Sequence, residues 1–265
     1  MTAILLSLGV ALGVNAAFFA AAAARRTDVV TDLSYSLTFV LLAVLLLFTG
    51  ARETMQLVAS LLVIAWAARL GTFLFRRILR MRTDHRFDGI RDRPLRFARF
   101  WLLQAITVAV VMLPVSYLLD RDHPPGVGIW SMVGAAIWLV GLVVEALADA
   151  QKAAFKAREE NRGRFIASGL WRYSRHPNYF GEMLVWWGVF VYVIPALHGA
   201  AFAVVAGPLF ITLLLLFVSG IPPLERSAEE KYGSDAAYRA YKQRTSILVP
   251  LPPRGQPAGV RLEKR

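Results

Sequence analysis

The sequence predicts an all-α, polytopic membrane protein with about seven transmembrane helices. Hydrophobic residues make up 57% of the 265 residues, and the mean hydropathy is +0.50. Soluble domains are typically about 45–50% apolar, so this composition favours a membrane protein. Apolar runs of the ~20 residues that a helix needs to cross a bilayer recur along the chain. Arginine and lysine gather between these runs, as they do in membrane proteins of this kind.

Each predicted span is an apolar run that ends where charged, glycine or proline residues interrupt it. Arg25 and Arg26 follow the first run rather than precede it, which is the reverse of a secretory signal, so we expect that helix to be retained. The seven spans are predicted at about residues 3–24, 33–50, 55–79, 100–119, 127–148, 179–194 and 200–220.

The distribution of basic residues predicts the orientation in the membrane. Two Arg follow the first span, nine lie from Arg76 to Arg99 at the end of the third span and after it, and the fifth and seventh spans are followed by seven and nine Lys or Arg. The other loops carry only Arg52 and Arg121. Because basic loops stay on the cytoplasmic side, the N-terminus is predicted outside and the C-terminus in the cytoplasm. This pattern fits a bacterial inner membrane.

Composition also argues against several functions. The net charge of +12 comes from the loops between spans, and no nucleic-acid-binding motif accompanies it, so no nucleic-acid partner is expected. The chain has no cysteine, and its four histidines show no paired ligand spacing, so no metal site is predicted. It also lacks a Gly-x-Gly-x-x-Gly or Walker-type loop, so any nucleotide must be held by helices and loops of the bundle.

Four charged residues lie at helical spacing at the end of the fifth span. Glu145, Asp149, Lys152 and Lys156 are separated by 4, 3 and 4 positions, which places them on one helix face. A carboxylate at bilayer depth needs a partner or water. One interpretation is a salt-bridged helix end whose lysines reach the lipid headgroups. The other is an edge that binds sugar hydroxyls through carboxylates and phosphates through lysines.

The segment GLWRYSRHPNYFGE, residues 169–182, stands at the mouth of the sixth span, and we call it the cassette. Asn178 and Glu182 share a helix face, and exposed backbone N–H groups at this helix start favour an anion. Arg175 and His176 add charge and hydrogen-bond donors there. An interfacial belt of Trp, Tyr and Arg accounts for the aromatic residues. It does not account for an acidic residue inside the span, so we predict a ligand site.

Two other groups of residues are weaker candidates. Asp32 opens the second span and Arg69 interrupts the third, where an isolated arginine usually faces a cavity or a partner. Asp32 is a plausible neighbour of Arg69. The charged and tyrosine-rich segment 225–241 is interpreted either as an amphipathic helix on the cytoplasmic face or as a lid over the site.

The cassette carries a resemblance to a known family. The matching residues resemble the C-terminal region of the steroid 5-alpha-reductase family and the related sterol reductases, over about residues 60–250. They are Leu170-Trp171, Arg175-His176-Pro177-Asn178-Tyr179, Gly181-Glu182, Glu225, Lys231-Tyr232-Gly233, Tyr241 and Pro250.

The resemblance implies a membrane enzyme that reduces a carbon–carbon double bond with NADPH. Residues 1–250 are then a single integral-membrane, reductase-like domain, and residues 251–265 a flexible tail. Asn178 is expected near the nicotinamide amide, and Asp32 and Glu182 are the candidate proton donors. The candidate cofactor-binding residues are Glu145, Asp149, Lys152, Lys156, Trp171, Arg175, His176, Asn178, Tyr179, Glu225 and Tyr232.

The chain departs from the steroid enzymes in its upstream half. Where those enzymes carry a catalytic Gln-Glu pair and a Tyr, alignment on Arg69 gives Thr31-Asp32 and Trp66. The departure bears more on the substrate than on the cofactor. We therefore expect a hydrophobic, lipid-like enone or alkene that enters from the bilayer, with NADPH entering from the cytoplasm.

Two other functions are consistent with the sequence. Membrane isoprenylcysteine and phospholipid methyltransferases, which use S-adenosylmethionine, carry a similar Arg-His-Pro-x-Tyr-x-Gly cassette. The charged stripe that begins at Glu145 favours a phosphate-bearing dinucleotide over a sulfonium. A non-enzymatic membrane protein that kept the fold is the third interpretation, and Trp66 in place of the tyrosine supports it.

Overall fold

The computed structural model describes residues 2–81, 89–90 and 92–254, and over these residues the chain is helical without a β-strand. Short 3₁₀ turns join some of the helices. The α-helices are α1 (Thr2–Arg25), α2 (Thr31–Thr49), α3 (Thr54–Met81), α4 (Pro94–Val111), α5 (Leu113–Leu119), α6 (Ile129–Lys156), α7 (Pro177–Val193), α8 (Ala206–Leu213), α9 (Ile221–Tyr232) and α10 (Ala236–Arg244).

Seven helical stretches in the described residues are long and apolar enough to cross a membrane. The predicted all-α, polytopic fold is therefore confirmed, whereas the side on which each terminus lies stays a prediction. The stretches are Thr2–Arg25, Thr31–Thr49, Thr54–Leu79, Pro94–Val111, Ile129–Lys156, Pro177–Ala196 and Gly199–Tyr232.

The chain divides into two compact units. The first comprises Met1–Trp138 and Trp186–Ile211, and the second comprises Leu139–Val185 and Thr212–Arg265. The single domain over residues 1–250 stays a prediction. Of the predicted flexible tail, residues 255–265 lie outside the described residues, as do 82–88 and 91 in the most basic loop.

The fourth span begins and breaks earlier than the sequence predicted. Its helix α4 begins at Pro94, since proline suits the first helical position, where no N–H partner is needed. The continuous helix predicted to Leu119 is interrupted after Val111, and α5 follows. Pro114 explains the break, because it lacks an N–H and its ring clashes with the carbonyl four residues earlier.

The fifth and seventh spans also differ from the prediction. The helix of the fifth span continues without a break to Lys156, eight residues beyond the predicted end, because alanine and lysine favour helix beyond the apolar run. The seventh span changes helix type along its length. A 3₁₀ segment over Gly199–Val205 precedes α8, and a π-helical turn over Leu214–Val218 follows it.

Buried hydrogen bonds cross-link the helices of the first unit. The Gln104 side-chain nitrogen Nε2 on α4 donates to Asn15 Oδ1 on α1 at 2.7 Å and to Ser34 Oγ on α2 at 2.9 Å. The hydroxyls of Ser7 and Ser116 lie 2.8 Å apart. Between apolar helices, where lipid offers no partner, such bonds act as specific links.

Three aromatic rings fill the interior of the first unit. Phe39, Trp66 and Trp186 pack with ring centroids 4.9–5.2 Å apart. The three side chains are at most 1% exposed. Trp66, which takes the place of the tyrosine in the resembled family, is therefore part of a packed cluster.

In the second unit, α6 and α7 come into close contact at Gly141 and Gly181. A β-carbon on Gly181 would lie 2.6 Å from the Glu145 backbone nitrogen and 2.7 Å from the Gly141 carbonyl oxygen. Real β-carbons essentially never come so close. Small residues at such positions let helix backbones approach within membranes.

We expect the Gly181→Ala substitution to destabilise the protein, because the added methyl meets backbone atoms that move only if the helices separate. The expected loss is about 1–3 kcal/mol, as for other overpacked sites. Thermal unfolding in detergent measures it. Gly13→Ala is the control, since Gly13 on α1 has nothing within 4 Å of the added carbon. Equal melting temperatures for the two variants would contradict the close packing.

Candidate functional site

The predicted charged stripe lies on one continuous helix. Because α6 extends to Lys156, all four residues project from the same element. Glu145 is 2% exposed and Asp149 is 7% exposed, whereas Lys152 is half-buried and Lys156 is exposed. The stripe thus runs from a buried acidic end to a solvent-facing basic end.

The first part of the cassette is fastened to α6 by a glutamine. Gly169 has a φ of +60°, and Gln151 Oε1 accepts a hydrogen bond from the Leu170 backbone N–H at 2.8 Å. A β-carbon on Gly169 would lie 2.5 Å from that same Oε1. A glycine is required there both by the left-handed backbone and by the approach of the glutamine.

Trp171 is the side chain that joins the cassette to the stripe. It is 3% exposed, and its indole Nε1 donates to the Ala148 carbonyl oxygen at 2.9 Å. The Lys152 Nζ lies 4.3 Å from the centroid of the indole ring, within the range of a cation–π interaction. The Tyr241 hydroxyl donates to the Trp171 carbonyl oxygen at 2.7 Å.

The second part of the cassette forms the start of α7. Pro177 is the first residue of the helix. The Asn178 amide nitrogen donates to Asp149 Oδ1 at 3.3 Å. Glu182 follows Asn178 by one turn, on the same face of α7. The structure thus brings two cassette residues, Trp171 and Asn178, against the stripe on α6.

One carboxylate binds the two basic residues that precede α7. The Arg175 Nη1 donates to Glu225 Oε2, and the His176 Nε2 lies 2.7 Å from Glu225 Oε1. All three side chains are largely shielded, with 12%, 6% and 19% of their surface exposed. A shielded ion pair of this kind is strongly disrupted when one partner is removed.

Burial lowers the pKa of His176 below its ordinary value, against the opposing effect of Glu225. Lys152 and Arg175 add positive charge that lowers it further. The imidazole is therefore neutral at pH 7. Its Nδ1 and the Arg175 Nε are both buried, and neither atom has a hydrogen-bond partner within the described part of the chain.

Residues 245–251, which we call the C-terminal strap, are bonded along the cassette. The Arg175 backbone N–H donates to the Ser246 carbonyl oxygen at 2.8 Å. The Ser174 hydroxyl donates to the Leu248 carbonyl oxygen at 2.6 Å. The strap runs parallel to the cassette at this point, so the backbone of the cassette is fixed from the C-terminal side.

The segment between α6 and the cassette packs against α9 and α10. The Phe165 ring lies 5.2–5.8 Å from the rings of Tyr232, Tyr238 and Tyr241. The Tyr232 hydroxyl donates to the Arg164 carbonyl oxygen at 3.1 Å. Together with the bonds of Glu225 to Arg175 and of Tyr241 to Trp171, these contacts favour the second interpretation of segment 225–241, a lid over the site.

Asp32 lies on α2, in the first unit. Its carboxylate forms an ion pair with Arg77 on α3 at 3.0 Å. The sequence suggested Arg69 as a neighbour of Asp32. The Arg69 guanidinium lies 5.7 Å from the Phe73 ring centroid. No cluster of three metal-ligating side chains occurs among residues 2–81, 89–90 and 92–254.

Three residues that position the cassette were absent from the predicted site. Gln151 and Ser174 hold its backbone, and Tyr241 holds Trp171. Gln151 lies on α6 beside Lys152, so its place next to the stripe was a usable signal. The roles of Ser174 and Tyr241 depend on contacts distant in sequence, for which the pattern gives no indication.

Comparisons with known proteins give one family and one relative. A profile of the family described as "Protein of unknown function (DUF1295)" matches residues 18–245. An uncharacterized protein of Schizosaccharomyces pombe is 24% identical over 226 residues, which cover 73% of this chain and 63% of that protein. The chain thus spans less than two thirds of that relative. No solved structure gives a significant match.

We expect acidification to lower the free energy of unfolding. Above the ordinary histidine pKa of about 6.5 the ring is neutral in both states. As the pH falls below that value, the unfolded state binds a proton before the folded state does, so stability falls until the lowered pKa of folded His176 is passed. Thermal unfolding at several pH values between about 8 and 5 measures this effect.

His176→Gln is the informative variant, because glutamine gains no proton in this range. The acid-side loss should become smaller than in the unsubstituted protein. His198→Gln, at an exposed position, serves as the matched control and should leave the profile unchanged. An identical acid-side loss in His176→Gln and the unsubstituted protein would contradict the assignment.

Proposed function

The chain belongs to the DUF1295 family, a steroid 5-alpha-reductase-like family of membrane proteins, and on that premise we propose that it is an NADPH-dependent membrane oxidoreductase. Its reaction is the reduction of a carbon–carbon double bond in a lipid-like substrate, such as a steroid-like or other enone. We place the cofactor side toward the cytoplasm, as the basic loops indicate.

One observation carries the proposal most directly. The stripe of α6 and the cassette, which follow one another along the chain, meet through two side-chain contacts. Lys152 lies over the Trp171 ring at 4.3 Å, and Asn178 donates to Asp149 at 3.3 Å. A cation, a buried carboxylate, an amide and an indole face are thereby gathered on adjoining helices.

These groups match the parts of a dinucleotide. Lys152 and the exposed Lys156 supply point charges for phosphates. Asp149 offers carboxylate oxygens to ribose hydroxyls, and Asn178 offers an amide to the nicotinamide carboxamide. The unsatisfied Nε of buried Arg175 adds a donor in the same unit. The residues present therefore fit NADPH.

The bound dinucleotide supplies the hydride, and the chain supplies orientation and the proton. Glu182, one turn beyond Asn178 on α7, and Asp32 are the two residues that we propose for the proton. A carboxyl group donates such a proton when it lies within hydrogen-bond reach of the substrate. The substrate enters from the bilayer, which agrees with its lipid-like character.

S-adenosylmethionine is the competing ligand, because some membrane methyltransferases carry a similar cassette. Its reactive group is a sulfonium cation and it has no phosphate. Lys152 beside Trp171 is a poor neighbour for a second positive charge and a good one for a phosphate. We therefore favour the dinucleotide and make S-adenosylmethionine an arm of the test.

We expect NADPH to raise the melting temperature of the detergent-purified protein, because a ligand that binds only the folded state stabilises it by mass action. S-adenosylmethionine should leave it unchanged. Titration calorimetry then gives the NADPH affinity, which Lys152→Ala should weaken on the order of tenfold, as for a lost hydrogen bond to a charged group.

Lys231→Ala is the matched control, since Lys231 also lies over an aromatic ring in the second unit, 5.5 Å from the Tyr232 centroid. It should bind NADPH like the unsubstituted protein. Stabilisation by S-adenosylmethionine alone would replace reduction by methyl transfer. Protein that binds neither ligand would overturn the proposal in favour of a non-enzymatic role.

A further inference from the structure

His176 carries a buried ring nitrogen without a protein partner. The residue is 5% exposed, and its Nδ1 accepts no hydrogen bond from the described residues. Buried polar side-chain atoms in folded proteins usually have at least one partner. This nitrogen therefore keeps an unused capacity to form a hydrogen bond.

Glu225 determines which of the two ring nitrogens carries the proton. A carboxylate only accepts hydrogen bonds, so the 2.7 Å contact with Nε2 requires the proton on that nitrogen. In a neutral ring Nδ1 then keeps its lone pair and acts only as an acceptor. Burial lowers the pKa of His176 against the opposing effect of Glu225, and the positive charges of Lys152 and Arg175 lower it further, which supports the neutral ring.

The orientation of the ring is fixed on two further sides. The Tyr179 ring is nearly parallel to it, with centroids 5.8 Å apart and a 10° angle between planes. The His176 backbone N–H donates to Ser174 Oγ at 3.1 Å, and that hydroxyl is itself bonded to Leu248. Such constraints are typical of a residue that must present one atom in one direction.

We propose that His176 Nδ1 accepts a hydrogen bond from an N–H or O–H group of the bound dinucleotide, and that Glu225 is the positioning residue that keeps this nitrogen unprotonated. The donor is a carboxamide N–H or a ribose hydroxyl. The inference rests on the proposed function. It reverses the role expected from sequence, in which His176 contributed charge and donors.

Two isosteric substitutions separate the ring nitrogens. The amide of asparagine lies near the position of Nδ1 and offers its oxygen there, whereas the amide of glutamine reaches the position of Nε2 and retains the contact with Glu225. His176→Asn should bind NADPH within a few-fold of the unsubstituted protein. His176→Gln should bind on the order of tenfold more weakly or worse, since it lacks the acceptor.

Stability should change in the opposite order. His176→Asn loses the bond to Glu225 and should melt lower than His176→Gln, which keeps it. A purely structural role for His176 would make the more stable variant bind as well or better. Binding by His176→Gln that equals or exceeds binding by His176→Asn overturns the inference while the proposed function stands. Absence of NADPH binding to the unsubstituted protein overturns both.

The pH dependence of binding is an independent readout that needs no asparagine variant. Protonation of Nδ1 removes the acceptor, so the affinity for NADP⁺, the acid-stable form, should fall as the pH falls below the ordinary histidine pKa of about 6.5. In His176→Gln the affinity should be low and should fall less with acidification, because only the phosphate monoester of NADP⁺, with a pKa of about 6, still titrates in this range. Equal pH profiles for His176→Gln and the unsubstituted protein contradict the inference.

An analogue identifies the donor group. The 3-acetylpyridine analogue of NADP⁺ has a methyl group in place of the carboxamide nitrogen and retains the ribose hydroxyls. If the carboxamide donates to His176, the analogue binds the unsubstituted protein more weakly than NADP⁺ does. It then binds His176→Gln about as well as NADP⁺ does, because the substitution and the analogue remove the same hydrogen bond. If a hydroxyl donates, the losses from His176→Gln and from the analogue are additive.

Discussion

The backbones of α6 and α7 approach at Gly141 and Gly181 so closely that a methyl group has no room between them. This contact sets the register of the two helices in the second unit. With the register fixed, Asp149 on α6 comes level with Asn178 on α7. One turn further along α6, Lys152 reaches the indole of the cassette. A shift of either helix along its axis would separate Asp149 from Asn178.

Charge balance in the cassette depends on one acidic side chain from α9. Arg175 and His176 adjoin each other in the chain and lie in a largely shielded environment, where a single cation is costly. Glu225 neutralises the guanidinium and orients the imidazole with its two oxygens. The same carboxylate thus ties α9 to the start of α7, so the electrostatics and the packing of the cassette are one arrangement.

Much of the fold follows from the sequence because it depends on local composition. Apolar runs separated by basic loops predict seven spans, and the spacing from Glu145 to Lys156 predicts one helix face. The breaks were harder to predict. Pro114 divides the fourth span, although proline within a membrane helix is often accommodated by a kink. The helix α6 extends beyond its apolar run because the residues past the membrane boundary also have high helix propensity.

The sequence indicated which residues form the site, but not which of them contact one another. Trp171, Asn178 and Glu225 stand out as polar or aromatic groups beside a span, but their partners come from distant positions. The strap is the clearest case, since it bonds to the cassette mainly through its backbone carbonyl and N–H groups. Backbone groups are the same in every residue, so no side-chain pattern marks such a segment.

The strap has a consequence for the order in which the protein is made. Residues 245–251 follow the last of the seven apolar stretches in the described residues, and the cassette ends within the first turns of α7. All seven stretches are therefore synthesised before the segment that pairs with Ser174 and Arg175. The cassette cannot reach its final geometry until that segment has been added. A chain truncated before residue 245 would contain every stretch but lack the backbone partners that hold Ser174 and Arg175.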